Sequence, residues 1–437
     1  MKKLSGLLAS MLITASFLTA CGTGSGTSGT PQNESAGKQE QAGSGASEPI
    51  KLNYWVPFSG GDGDFMKEMV NKFNQENPDT NVQILNLKNE EYYTKLSTAM
   101  VSGQAPDVAI AHTSKLAELV PTGNLEVMDT IATDLDWSSF NPNILQATVF
   151  DGKHMAIPLD THAEIMFYNK KILGDAGLLD ADGKPKMEPG AEGFVNFLRE
   201  IKAKAPADVM PLATTSKGNQ PYWLWWTLYS QMGGQLLTED GKKADFNNEK
   251  SKQALQFLAD LVNEDLWPKN IKNGGEIFAA GKGAISLNGV WSTGTFEKNK
   301  DTLDFAAISF PQLYDQPAAW GDSHTLVIPV QKNKDEKKAA AAAKFANWLA
   351  DHGAMWAKAG HVPSKITVAE SQEFKSLPYR SDYAEVANVV AFLPNSDKVG
   401  PIKEILVPNF DKLMTGQATV DQVLADAEKQ VNELLAK

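Results

Sequence analysis

The chain has 437 residues, with 53 acidic against 41 basic side chains and a formal net charge of −12 at pH 7. That balance argues against nucleic acid or an anionic lipid surface as the main partner, and the length asks for two or more cores. Cysteine occurs once, at Cys21, so no disulfide can form within the chain.

Taken in chain order, the first segment is apolar from Leu4 to Ala20, is preceded by Lys2 and Lys3, and ends in Leu18-Thr19-Ala20-Cys21. A charged start, an apolar middle and small residues at the end are the pattern of a secretory signal peptide. The last four residues resemble the lipobox of bacterial lipoproteins. This resemblance implies that residues 1–20 are removed and that Cys21 is acylated. It further implies an exported protein held at the outer face of the cytoplasmic membrane; a leash in place of confinement by an outer membrane makes a Gram-positive cell the preferred setting, with a Gram-negative periplasmic lipoprotein the alternative. The alternative is an ordinary cleaved signal with a chance cysteine. Residues 21–50 are then a flexible leash, because from Gly22 to Glu48 no large apolar side chain occurs and small polar residues cannot offset the entropy of ordering. Beyond the signal no run approaches the roughly 18 apolar residues of a membrane-spanning helix.

Alternating elements follow. Residues 51–56 read as a strand broken by Pro57-Phe58-Ser59-Gly60-Gly61. Asp62 is placed to cap a helix whose apolar positions Phe65, Met66, Met69, Val70 and Phe73 fall at helical spacing before Asn77-Pro78 ends it. A strand over 82–87, a helix over 90–101 with Tyr93, Leu96 and Met100 inward, and a strand over 107–111 complete a βαβαβ unit. Such a unit gives a mainly parallel sheet with helices on both faces. Ligands bind at the carboxyl ends of such strands, where the loop Pro57 to Asp64 sits.

Several motifs arrive in a fixed order: Tyr54-Trp55, Phe73-Asn74, Ser102-Gly103-Gln104-Ala105-Pro106-Asp107-Val108, Asp151-Gly152-Lys153, Ala156-Ile157-Pro158, Phe167-Tyr168-Asn169-Lys170 and Ala176-Gly177-Leu178. Phe278-Ala279-Ala280-Gly281-Lys282-Gly283-Ala284, Asn288-Gly289-Val290-Trp291 and Gly360-His361-Val362-Pro363 continue the series. The ordered set resembles the family 1 extracellular solute-binding proteins of ABC importers, in the layout of the maltose-binding-protein-like members. It departs from the family pattern between Met187 and Phe197, where Glu188-Pro189-Gly190-Ala191-Glu192 replaces a Pro-Thr-Trp-Glu-like helix start, which leaves the build of the local loop open but not the class. The resemblance implies an α/β, type II periplasmic-binding-protein-like fold, with two doubly wound lobes and an interlobe ligand cleft. It also implies crossings near His112, near Phe310-Pro311 and near Gly360 to Ser364. Residues 51–111 and 312–359 then form the first lobe, and residues 112–311 and 360–437 the second.

A sugar offers flat apolar faces rimmed by hydroxyls, so its site wants aromatic plates with planar hydrogen-bonding groups at their edge. Tyr222-Trp223-Leu224-Trp225-Trp226 holds three tryptophans in four residues, which cannot all point one way from a helix. The resemblance implies that Gln220, Tyr222 and Trp223 face the ligand, that Trp291 stacks on it, and that Trp320, Asp322 and His324 complete the cleft. It adds Asp160 and His162, which interrupt an apolar run, and His112 at the first crossing. Trp55, Ser59 and Asp62 join them at the end of the first strand. For each aromatic the alternative is core packing. For Asp322 and His324 it is turn capping, and for His112 and His162 a structural histidine.

No Gly-x-Ser-x-Gly elbow occurs, the paired aspartates Asp62/Asp64 and Asp180/Asp182 lie in glycine-rich turns, and the six histidines form no closely spaced metal-ligand pair. Neither catalysis, a cofactor nor a metal is therefore expected. The expected function is a monomeric carbohydrate receptor that delivers a sugar or oligosaccharide to ABC permease subunits. Two alternatives stand behind it: a receptor for a polyamine, phosphate ester or chelated iron, and an extracellular carbohydrate-active enzyme.

Overall fold

In the computed structural model, the structure describes residues 48–58 and 60–437. The signal, the leash, Cys21 and Ser59 lie outside the described residues. Among the described residues no helix is long and apolar enough to cross a membrane.

The opening βαβαβ unit consists of the strand Ile50–Val56, the helix Gly60–Glu76, the strand Thr80–Asn86, the helix Asn89–Ser102 and the strand Val108–His112. The three strands are parallel, with Ile50–Val56 in the middle. Met66, Met69 and Phe73 are fully buried from the first helix. In the second helix the inward face is Tyr92, Leu96 and Met100. Tyr93, expected inward, is only half-buried beside this core and reaches His112 at the end of the third strand. Gly103 ends this helix at φ 68°, a left-handed turn that glycine takes without strain.

The sheet is completed by two strands from far along the chain. His324–Val327 pairs antiparallel with Val108–His112, and Ile157–Pro158 pairs antiparallel with His324–Val327. Residues 113–159 therefore stay with the first lobe: Met128, Phe140, Ile157 and Leu159 pack in one core with Leu52 and Tyr54. This places the first crossing after Leu159, not near His112. The physical reason is the free edge of a three-stranded sheet, which the later segments cover. The second crossing is also displaced from Phe310-Pro311. Leu313, Ala319 and Trp320 belong to the second core, and Leu326 to the first. The third crossing lies between Trp356 of the first core and Val362 of the second.

The second lobe is organised around the ten-residue strand Asp160–Asn169, buried along its whole length. It pairs antiparallel with Val362–Pro363, Ala319–Asp322, Gly283–Gly289 and Phe305–Ser309. Met210–Leu212 and Val390–Ala391 extend the sheet in parallel at its two sides. Helices Gly190–Lys204, Asn219–Gln231, Glu249–Asn263, Val399–Met414 and Val420–Leu435 supply residues to this larger core. Since Asp160–Asn169 starts at the crossing, its first residues lie between the lobes and the rest anchor the second lobe.

Candidate functional site

A cleft of about 700 Å³ lies between the lobes. Its two sides differ in chemistry. The first lobe contributes polar and charged groups, among them Asp62, Tyr93, His112, Ser114 and His324, whereas the second contributes Tyr222, Trp223, Trp291 and Trp320.

The aromatic wall is built from three elements. The helix Asn219–Gln231 divides its tryptophans by rotation: Trp225 and Trp226 go to the core, where their Nε1 atoms donate to Ser251 Oγ at 2.9 Å and to the Ala391 carbonyl at 2.7 Å. Trp223 lines the cleft. It stacks on Trp320 with centroids 4.3 Å apart and planes 23° apart. Trp291 stands nearly perpendicular to this pair, 74° from Trp223 and 89° from Trp320. The three indoles thus form a right-angled apolar corner. Tyr222 Oη and Trp320 Nε1 are buried without a hydrogen-bond partner, and both residues line the cleft. Buried polar groups are normally paired, so these two atoms are left with hydrogen-bonding capacity at the cleft.

The opposite side and the floor are a network of histidines and carboxylates. Asp160, fully buried, accepts from His324 Nδ1 at 2.7 Å, from the His324 backbone N–H at 3.1 Å, from His162 Nδ1 at 3.1 Å and from Trp356 Nε1 at 2.5 Å. Burial alone would raise its pKa, but the charges of His324 and His361 and the donors around it hold this carboxyl well below the usual carboxylate range. Asp322 is the second anchor. It accepts from Thr113 Oγ1, from Ser114 N and Oγ and from Ser323 N, at the start of the helix Thr113–Leu119. Burial opposes its ionisation, and His112, His162, Ser114 and Thr113 outweigh that opposition. Asp322 thus caps the start of that helix and also lines the cleft.

His112 ends its strand with Nδ1 2.5 Å from Tyr93 Oη, which also accepts from the His112 backbone N–H. Burial, with His324 next, pushes the His112 imidazole down to about 3, so it is neutral at ordinary pH. His324 is also lowered, by burial first and by neighbouring histidines, against the pull of Asp160. His361 behaves oppositely. Burial would lower it, yet Asp160 and Asp62 together raise it.

Of the expected ligand contacts, Asp62, His112, His162, Tyr222, Trp223, Trp291, Trp320, Asp322 and His324 are brought together on the cleft. Asp160 lies beneath it as an anchor. Gln220 is turned away: its Nε2 donates to Glu164 Oε2 at 2.6 Å and to the Leu287 carbonyl at 3.2 Å. Trp55 packs on the other core of the first lobe, beside Tyr92 and Leu96. Its position at a strand end does not bring it to the cleft, because successive strand side chains alternate in direction. Reasoning from sequence missed His361, Tyr93, Asn219 and the lip formed by Lys115, Glu118, Lys403 and Glu404. His361 carried a signal, as a polar residue beside a crossing. The expectation of no metal-ligand grouping rested on separation along the chain, and the fold overturns that premise by bringing His112, His162, His324 and His361 together.

Relatives share this architecture. The chain is 22% identical to the cyclic alpha-maltosyl-1,6-maltose binding protein of Arthrobacter globiformis, whose crystal structure superposes with a TM-score of 0.73 over 89% of this chain and 99% of that one. For the GacH receptor of Streptomyces glaucescens the identity is 19% and the TM-score 0.76, over 89% and 99% of the two chains. At these identities the likeness shows a common fold. In sequence, the chain is 21% identical over 380 residues to the maltotriose-binding protein of Pyrococcus abyssi, covering 82% of this chain and 74% of the relative. It is 24% identical over 260 residues to the maltodextrin-binding protein MdxE of Bacillus subtilis, covering 57% and 58%. The profile of the family described as bacterial extracellular solute-binding protein matches residues 59–356. With that match spanning well over half of the sequence, on a two-lobed fold with a cleft between the lobes, the chain belongs to the bacterial extracellular solute-binding proteins.

Proposed function

We propose that this chain is a carbohydrate receptor of an ABC importer, which takes a sugar or oligosaccharide into the interlobe cleft and hands it to membrane permease subunits. The observation that carries the reading is the right-angled corner of Trp223, Trp320 and Trp291, with the unpartnered Tyr222 Oη and Trp320 Nε1 at its edge. Flat apolar plates accept a pyranose face, and two orphaned donors at their rim fit its hydroxyls. The neutral imidazole of His112 and the carboxylate of Asp322 add a donor and an acceptor on the opposite side. Relatives named for maltotriose, maltodextrin and diacetylchitobiose support an oligosaccharide.

The receptor returns its ligand intact and is tethered by acylated Cys21 through the leash of residues 21–50. A panel of mono- and oligosaccharides, amines and phosphate esters, followed by thermal shift, tests the ligand class, since a ligand binding only the native state raises the melting temperature. A shift confined to saccharides is the expected result. A shift by amines or phosphate esters alone would replace the sugar with that class.

A further inference from the structure

We propose that the floor of the cleft binds one divalent transition-metal ion of the zinc class, through the carboxylate of Asp160 and the imidazoles of His162, His324 and His361. This goes beyond the carbohydrate reading and does not depend on it. Each of the four residues offers a donor atom, and these atoms all lie within 4.8 Å of one another. A tetrahedral ion with bonds near 2.1 Å holds its donors about 3.4 Å apart, so rotamer adjustments of roughly an ångström complete the shell. Three imidazoles and one carboxylate suit zinc, cobalt, nickel or copper, whereas calcium and magnesium take oxygen donors.

Two observations separate this cluster from an ordinary hydrogen-bonded one. First, His361 is 1% exposed, and both of its ring nitrogens lack a hydrogen-bond partner. Its Nδ1 lies 3.7 Å from Asp160 Oδ2 and its Nε2 3.5 Å from Asp62 Oδ2, too far for good bonds. An orphaned imidazole so deeply buried is costly unless something fills the gap. Second, the rings are mutually close, with centroids 4.3 Å apart for His162 and His324, 5.3 Å for His324 and His361, and 5.9 Å for His162 and His361. Such crowding gathers the four donor atoms around a single point.

The surroundings hold the donors in place, as outer-shell groups do around ligated histidines. Trp356 donates to Asp160 and stacks on His361 at 4.7 Å with planes 10° apart. Phe58 packs edge-on against His324 at 4.9 Å. The donors also come from all three interlobe crossings: Asp160 and His162 at the first, His324 at the second and His361 at the third. An ion held there would tie the crossing segments to one another beneath the ligand.

The test uses protein stripped with a chelator and titrated with zinc alone, by competition against a chromophoric chelator, and in parallel with cobalt(II), whose visible spectrum reports geometry. The expected result is one ion per chain, an intense four-coordinate cobalt spectrum, and at least tenfold weaker zinc binding in His361→Gln and in His324→Gln. Zinc binding unchanged in both variants, a weak six-coordinate cobalt spectrum, or no ion retained by the wild-type protein would each overturn the proposal. Should either variant fail to fold, the wild-type cobalt spectrum decides. Sugar titrated in the presence of chelator keeps the two readings apart, because loss of the metal proposal leaves the carbohydrate assignment standing.

Discussion

Gly289 has no side chain where the indole of Trp291 lies: a Cβ built on Gly289 would fall 2.0 Å from that ring. The backbone at Gly289 is ordinary, with φ −74° and ψ 155°, so the requirement is one of space and not of conformation. Gly289→Ala is therefore expected to push Trp291 out of the aromatic corner. Loss of a stacked aromatic removes apolar contact and dispersion together, so sugar affinity should fall by about 2 kcal/mol, the scale of a binding hot spot. Trp291→Ala should cost about as much, and the double variant no more than Trp291→Ala alone. Calorimetry on the three variants checks this, and additive losses would show that Gly289 acts by another route.

Trp223 and Trp225 are two residues apart on one helix and are expected to respond oppositely. Trp223 lines the cleft, so Trp223→Ala should weaken sugar binding by at least about 2 kcal/mol while leaving the thermal midpoint nearly unchanged. Trp225 is fully buried and donates to Ser251. Its truncation leaves a cavity and an unpaired hydroxyl, and should destabilise the protein by about 3 to 5 kcal/mol. Parallel melting curves and titrations separate the two effects.

The contrast between these tryptophans shows where reading the sequence works. Helical rotation forbids all three from sharing a face, and that much follows from spacing. Which one lines the cleft depends on Trp320, from a strand far along the chain. The opening βαβαβ unit was legible because its apolar periods are long and its breakers strong. Residues 113–159 were not, because they form short helices, turns and two-residue strands whose lobe is set by tertiary pairing with His324–Val327. Gln220 has the right chemistry for a ligand, but Glu164 on a neighbouring strand engages it. The histidine floor was invisible for the same reason, since its members meet only when the three crossings are laid side by side.

Glu164 makes stability depend on pH in a defined direction. Burial, opposed only by the hydrogen bond from Gln220, pushes its carboxyl up from 4.5 to about 8. Between those values the folded chain holds a proton that the unfolded chain releases, so its contribution is fully present below the unfolded pKa and is lost as pH rises towards 8. Glu164→Gln keeps an acceptor for Gln220 and removes the titration. The variant should match the wild type near pH 4.5 and exceed it by up to about 5 kcal/mol above pH 8, because each pH unit crossed between the two values costs the wild type about 1.4 kcal/mol. Denaturant unfolding across this range measures the difference. A constant gap would mean that Glu164 is not the titrating group.

Anchoring is tested at Cys21. A single acyl chain binds membranes only marginally, whereas two hold firmly. Cys21→Ser should release the protein to the medium and leave ligand affinity unchanged, as read by fractionation and calorimetry. Retention of the variant with the membranes would remove the lipoprotein assignment.

Closure is the property that separates a transport receptor from a rigid lectin or a hydrolase. The chain passes between the lobes after Leu159, between Trp320 and Leu326, and between Trp356 and Val362, so three short segments connect the two lobes. Ligand touching Trp291 on one side and His112 on the other gains contacts only when the lobes approach. Its differential affinity then sets how far the population moves. Small-angle scattering should show a smaller radius of gyration with saturating oligosaccharide, and the sugar should be recovered intact after long incubation. The response should be lost in the Trp291→Ala variant at a sugar concentration that saturates only the wild type. A radius unchanged by bound sugar would remove the hinge, and cleaved sugar would replace the receptor with an enzyme.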